Sequence, residues 1–286
     1  MPRRPDFVPP DTSKNNTTYD TDLTDAQWQL IEPLLPPPDT SGTPRTTNLR
    51  HLVNALLYRL KTGCQWKMLP KDFAIPWKTV SNWHEAFARL GTWERVQRAL
   101  VARTRVADGR DPNPSLLVVD SQTVKAAESA GKTGFDGGKT TTGRKRHVLV
   151  DALGLVMAVA VTAANVSDAA GAEVVLRAMA GNRRLAVVLA DSAYRRDALD
   201  DFLTDSRARY RLVIGTKPPG QTGFVPQPKR WVVERTFSWL RSSRLLAREY
   251  EGRSWISCSN GYLRSVMLTM NTYQRLTAGN TPACAA

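Results

Sequence analysis

Apolar positions recur along the chain with two periods, and the change from one to the other divides it. Between residues 23 and 107 the spacing is helical. In LTDAQWQLIEPLL, Trp28, Ile31 and Leu35 form one stripe, and Thr24 with Gln27 makes a capping box at its start. NLRHLVNALLYRLKTG places Leu49, Leu52, Val53, Leu56, Leu57 and Leu60 on one face and offers Gly63 as a C-terminal stop. KTVSNWHEAFARLG repeats the pattern with Val80, Trp83, Phe87 and Leu90, ends at Gly91, and is followed at once by a fourth helix, TWERVQRALVARTRV. PPPDTSGTPRTT and CQWKMLPKDFAIPW read as connectors. Residues 1–22 are polar and proline-rich and are expected to form a disordered tail.

From residue 111 the texture becomes strand-like. SLLVVD, RHVLVDA and GLVMAVAVTA read as strands, the last two joined as a hairpin at Asp151–Gly154; RLAVVLAD and RYRLVIG are two more. DAAGAEVVLRAMAG, AYRRDALDDFLTD and RWVVERTFSWLRSSRLL read as helices. The order β-β-β-α-β-α-β-α predicts a layered α/β fold with a mixed sheet. WISCSNGYLRSVMLTMNTYQRL predicts a last helix. The expected organisation is therefore a tail (1–22), a helical unit (23–107), an α/β unit (111–250) and a C-terminal helix with its tail (251–286).

Charge adds a partner. The chain carries 40 Lys and Arg against 26 Asp and Glu, a net +14, with a pI near 10.1. An excess of that size points to a polyanion, nucleic acid first, although a solvated basic surface gives the same count. Lys78, Ser81, Asn82 and Arg89 lie off the apolar face of the third helix, as in helix-turn-helix units that read a major groove; a plain helical bundle fits the pattern equally. Arg144, Lys145 and Arg146, at the entry to a strand in GRKRHVLVD, are candidates to grip a phosphate backbone, or a solvated basic turn. Cys64, Cys258 and Cys284 stand far apart with no CxxC, which argues against a zinc cluster or disulfide framework and fits a reducing cytoplasm. The N-terminal twenty residues lack the apolar core of a signal peptide, and LGLVMAVAVTAANV is too short to span a bilayer. His51, His84 and His147 have no ligand partner at i+4 and read as structural or DNA-facing.

Two strands, LLVVDS and VVLADS, stop at the same Asp-Ser pair. Sites in open α/β sheets gather at the carboxyl ends of strands, so Asp120 and Asp191 can meet there. Paired carboxylates repel unless a cation lies between them, and oxygen donors without nearby His or Cys favour Mg2+ or Mn2+ over zinc. The alternative is that each aspartate caps the turn after its strand. A third acid, Glu234, lies on a narrow polar stripe with Arg230, Ser238 and Arg241 in a mostly apolar helix. Three such acids can hold two divalent ions about 3.5–4 Å apart and support phosphodiester chemistry, with arginines on the phosphates.

Taken together, LTDAQWQLIEPLLP, LYRLKTGCQWKMLPKDF, VVDSQTVKAA, GRKRHVLVDALGLVMAVAVTAANVSD, VVLADSAY and RWVVERTFSWLRSSRLLAREYE resemble bacterial insertion-sequence transposases with an Asp-Asp-Glu triad, of the insertion-sequence-five group. The resemblance covers nearly all of residues 23–275. It implies an RNase H-like catalytic core with Asp120, Asp191 and Glu234 as the metal-binding triad for two Mg2+ (or Mn2+) ions. The family signature around the glutamate is matched by Arg230, Glu234 and Arg241, whereas Gln227 stands at its tyrosine position. The implied partners are double-stranded DNA, as element ends and as target, and further copies of the chain in a dimer or larger synaptic assembly. The implied location is the cytoplasm, at the nucleoid. Two alternatives stay open: a transposase-derived DNA-binding protein without catalysis, and an RNase H-like nuclease acting on RNA–DNA hybrids.

Overall fold

The computed structural model describes residues 19–37, 46–194, 197–205, 209–215 and 231–278. The helical half begins with α1 (Asp25–Ile31), capped as its sequence dictates: the Gln27 amide donates to Thr24 Oγ1 at 3.2 Å, and the Thr24 amide to Gln27 Oε1 at 3.1 Å. α2 (Leu49–Thr62) stops at Gly63, whose φ of 69° is the left-handed conformation expected there. α3 (Trp77–Arg89) and α4 (Thr92–Ala107) follow. Leu90, assigned by its spacing to the α3 core face, is instead 59% exposed, because it lies beyond the last turn of the helix. Tyr19, assigned to the tail, packs its ring on Tyr58 and Phe73 and donates its hydroxyl to Asp72 at 2.8 Å.

The sheet contains β1 (Leu116–Lys125), β2 (Gly134–Asp136), β3 (Thr141–Asp151), β4 (Val156–Ala163), β5 (Val187–Ala190) and β6 (Arg211–Ile214). Its order is β3-β1-β5-β6, with β2 and β4 both paired to β3. β1 runs antiparallel to β3 and parallel to β5, and β5 runs parallel to β6. An antiparallel trio followed by parallel strands is the RNase H-like arrangement. The parallel connections require crossovers, supplied by α5 (Asp168–Arg177) and α6 (Asp197–Asp205). β1 does not end at Asp120: its ladder with β3 continues to Lys125 opposite Gly143. The short β2 has no apolar run to announce it.

Side chains alternate across the sheet and so feed two cores. Leu117, Val119 and Leu149 join Ala169, Ala172 and Leu176 under α5. Val118, Val148, Val150 and Val159 face the other way, onto α4, α7 (Trp231–Arg241) and α9 (Ser254–Ala278), against residues such as Leu100, Val233, Phe237 and Val266. This second core continues without a break into Leu23, Leu52 and Leu56. The helical segment and one face of the sheet therefore share a core, while the α5 face of the sheet closes its own. Gln97 of α4 marks the join, donating to Val156 O at 2.9 Å and Thr269 Oγ1 at 3.0 Å. Among the described residues, no helix is long and apolar enough to cross a membrane.

Candidate active site

The parallel pairing of β1 and β5 sets Leu116 beside Val187, Leu117 beside Val188 and Val118 beside Leu189. The same offset carried two residues further sets Asp120 beside Asp191. The echo between the two strands is thus a register match, and both acids leave the pair at one level. By strand alternation Asp120, inside β1, points to the face of Val118, and Asp191 directly follows the last residue of β5; Val118 and Leu189 both pack toward the core that α7 covers. The Asp120 carboxylate accepts the Ser121 amide at 2.7 Å. Asp191 accepts the Ala193 amide at 2.7 Å, so the turn-capping role is present there as well.

Glu234 rides on α7, which presses Val232, Val233, Phe237 and Leu240 onto the sheet. The rotation of α7 is fixed on its other flank. Arg235 donates to Leu153 O at 2.8 Å and lies between the Trp231 and Trp239 rings, 4.6 and 4.5 Å from their centroids, while Thr236 donates to Gly154 O at 3.2 Å. Gly154, at φ 86°, gives the hairpin turn that lets α7 come this close. Helical spacing then puts Glu234 and Arg241 on the opposite flank from Arg235, both exposed. Among the described residues, no three His, Cys, Asp or Glu side chains stand close enough to share one ion. Carboxylate oxygens such as those of Asp120 and Asp191 are donors of the chemistry that Mg2+ and Mn2+ prefer. Glu234 shares their side of the sheet without completing a ligand set. Arg230 and Gln227 lie outside the described residues.

The basic cluster of β3 is a correction. Arg144 and Arg146 are 1% and 2% exposed and cannot reach a phosphate backbone. β3 has strands on both edges and layers on both faces, so from Gly143 onward its residues are inside. The compensating charge is Glu249, whose carboxylate lies 3.5 Å from each guanidinium and accepts Ser257 Oγ at 2.6 Å. Arg144 also donates to the carbonyls of Glu251 and Gly252, and Arg146 to that of Leu246. Burial lowers the Arg146 pKa, Glu249 opposes the shift, and the Arg241 charge adds a smaller lowering. Lys145 alternates to the other face, also buried, with Nζ 3.1 Å from Asp168 and 3.9 Å from Asp136. On α3, Lys78 and Asn82 are exposed and Ser81 is half-buried. Arg89 is exposed but turned toward its own neighbours, paired with Glu85 at 2.7 Å and stacked 4.9 Å over Trp255.

Three residues that pattern reading passed over stand beside the aspartates. Ser121 donates its hydroxyl to Asp168 at 2.6 Å. Tyr194 is buried, and its hydroxyl approaches Ser121 without bonding geometry; burial first, then the charges of Asp120, Asp168 and Asp191, raises its pKa. The one available signal was that Asp168 opens α5, directly after its N-cap Ser167, as an acid in the first turn of a helix.

An RNase H-like sheet with one aspartate inside β1 and another directly after β5, just past the parallel pairing of the two strands, defines a class of nucleic-acid-processing folds. Within it, this chain belongs to the DDE transposases: the transposase DDE domain matches residues 111–258, and the putative transposase family of the IS4/5 group matches residues 23–97. The insertion element IS402 uncharacterized 16.2 kDa protein of Burkholderia cepacia is 33% identical over 121 residues, covering 39% of this chain and 78% of that protein. Among solved structures, the Mos1 mariner paired end complex with Mn aligns over 85% of this chain and 82% of its own at 13% identity, with a TM-score of 0.27, too low to superpose one fold on the other.

Proposed function

We propose that this chain binds the terminal inverted repeats of its own element as duplex DNA, cleaves phosphodiester bonds at the ends and joins the freed 3′-hydroxyls to target DNA. The observation that carries the reading is the register of Asp120 with Asp191 on parallel strands, on the sheet face that α7 covers. Asp120, Asp191 and Glu234 are the residues that would hold divalent ions, two Mg2+ or Mn2+ per site. Bound there, the ions would activate the attacking oxygen and stabilise the leaving one. The chain's own part is positional: the Ser121 and Ala193 amides orient the two carboxylates, and Arg241, with Arg230 before α7, would take phosphate oxygens. Lys78, Ser81 and Asn82 are the α3 residues proposed to face DNA, with Arg89 beside them once it leaves Glu85. Cleavage at two ends calls for a dimer or larger assembly, working at the nucleoid.

Asp120→Asn and Glu234→Gln should each abolish Mg2+-dependent cutting of end DNA while leaving gel-shift affinity for that DNA within a few-fold. Cutting at the wild-type rate by either variant refutes the triad. Wild-type protein that binds ends tightly yet fails to cut them with Mg2+, Mn2+ or any other divalent ion instead supports a DNA-binding protein without catalysis.

A further inference from the structure

On the α5 side of the sheet, directly behind Asp120, a run of polar contacts begins at Ser121. Its amide holds the Asp120 carboxylate at 2.7 Å, while its hydroxyl, on the opposite face, donates to Asp168 Oδ1 at 2.6 Å. Asp168 is held in turn by Lys145, whose Nζ lies 3.1 Å away and also donates to Val166 O at 3.0 Å. Lys145 is itself flanked by Asp136, 3.9 Å away, which accepts from Thr123 on the same strand as Ser121. The run therefore leaves β1 at Ser121, crosses to the start of α5 and returns through β3 and β2 to β1 at Thr123. Lys145 is the cation that lets Asp168 stand close to Asp120 and Asp191 without leaving the cluster uncompensated.

We infer that Asp168 is a positioning residue for the metal site: by anchoring the Ser121 hydroxyl it fixes the Ser121 peptide, and through that peptide's N–H the direction of the Asp120 carboxylate. The inference rests on Asp120 being a metal ligand. Outer groups that orient a ligand change metal affinity by about 10–100-fold when removed. Ser121→Ala keeps the amide and removes only the anchor, whereas Asp168→Ala removes the acceptor.

The test is direct Mn2+ binding by the full chain without DNA, followed by titration calorimetry and by the electron paramagnetic resonance signal of free Mn2+, with thermal melts alongside. Ser121→Ala and Asp168→Ala should each weaken Mn2+ binding by about tenfold. The double variant should be no weaker than Asp168→Ala alone, because both changes cut one route, and Ser121→Thr, which keeps a hydroxyl, should restore binding. Wild-type Mn2+ affinity in Ser121→Ala, or losses that add in the double variant, overturns the proposal. Should Asp168→Ala not fold, Ser121→Ala and Ser121→Thr decide between them. Asp120→Asn is the control: if it binds Mn2+ like wild type, the metal-site reading itself has failed. If it loses Mn2+ while Ser121→Ala keeps it, only the positioning role has failed.

Discussion

A methyl group added at Gly171 would stand 2.0 Å from His147 Cε1 and 2.2 Å from Nδ1, so α5 lies on β3 with no room between ring and backbone. His147 is buried and shares a 2.9 Å hydrogen bond from Nε2 with Thr162 Oγ1. Gly171→Ala should destabilise by roughly 1–3 kcal/mol or more in urea unfolding, and His147→Ser should recover part of the loss in the double variant. A double variant no better than the single would place the strain elsewhere. His147 and His84 are also pH-sensitive points of the fold. Burial is the first cause of both shifts, lowering each imidazole from 6.5 to about 4. A histidine that is neutral when folded and free to protonate when unfolded contributes its full stability above pH 6.5. That contribution falls away as pH drops toward 4, by up to roughly 3 kcal/mol for each ring. His84 packs against Trp66 with no partner on either nitrogen among the described residues, so His84→Phe keeps the ring and removes the titration. The wild type should lose stability between pH 7 and 4.5 more steeply than His84→Phe; equal slopes would show that His84 titrates alike in both states.

Glu249 is where local pattern and assembled element part company. The segment after α8 (Arg244–Ala247) extends the sheet past β1: the Glu249 amide donates to Lys125 O at 3.0 Å, and the Ala127 amide to Glu249 O at 2.8 Å. Its carboxylate then lies between Arg144 and Arg146 inside the protein. Glu249→Ala strands two buried guanidiniums and should cost about 3–5 kcal/mol in urea unfolding, so a loss under about 1 kcal/mol would mean that the carbonyl acceptors suffice. Nothing around GRKRH could announce this, since the partner lies about a hundred residues on. What depends on neighbours within a turn was legible: the Thr24–Gln27 box, the Gly63 stop, the hairpin at Asp151–Gly154 and the acids ending apolar runs. β1 looked finished at Asp120 because hydrophobicity stops there. The ladder continues because Ser121 and Thr123 find polar partners on one face, while Gln122 pairs with Arg146 across β3. The two aspartates could be nominated from sequence because each directly follows an apolar run, residues 116–119 and 187–190, and those runs pair in parallel. The setting of Glu234 relative to them depends on how α7 is clamped by Arg235 and Thr236, which is tertiary.

At the scale of the whole molecule, the shared core makes a claim about cooperativity. Val96 and Leu100 of α4 are completely buried in a cluster that includes Val156 and Val159 of β4 and Val266 and Met270 of α9. Arg105 of α4 is ion-paired with buried Asp151 at the end of β3, and Arg59 of α2 lies 3.1 Å from Glu251 beyond the sheet. A helical segment cut free of the sheet would expose those apolar faces and leave Gln97 without its acceptors at Val156 and Thr269. DNA engagement through α3 and chemistry at β1 and β5 would then belong to one folding unit, joined by packing rather than by a tether. Hydrogen exchange followed by mass spectrometry should therefore give peptides from α2 and from β1 the same opening free energy near the global value, and a fragment of residues 1–110 should show no cooperative melt. A fragment that melts sharply with the helix content of α1–α4, or an α2 that opens well below β1, would establish two independent units and return the boundary to residues 107–111.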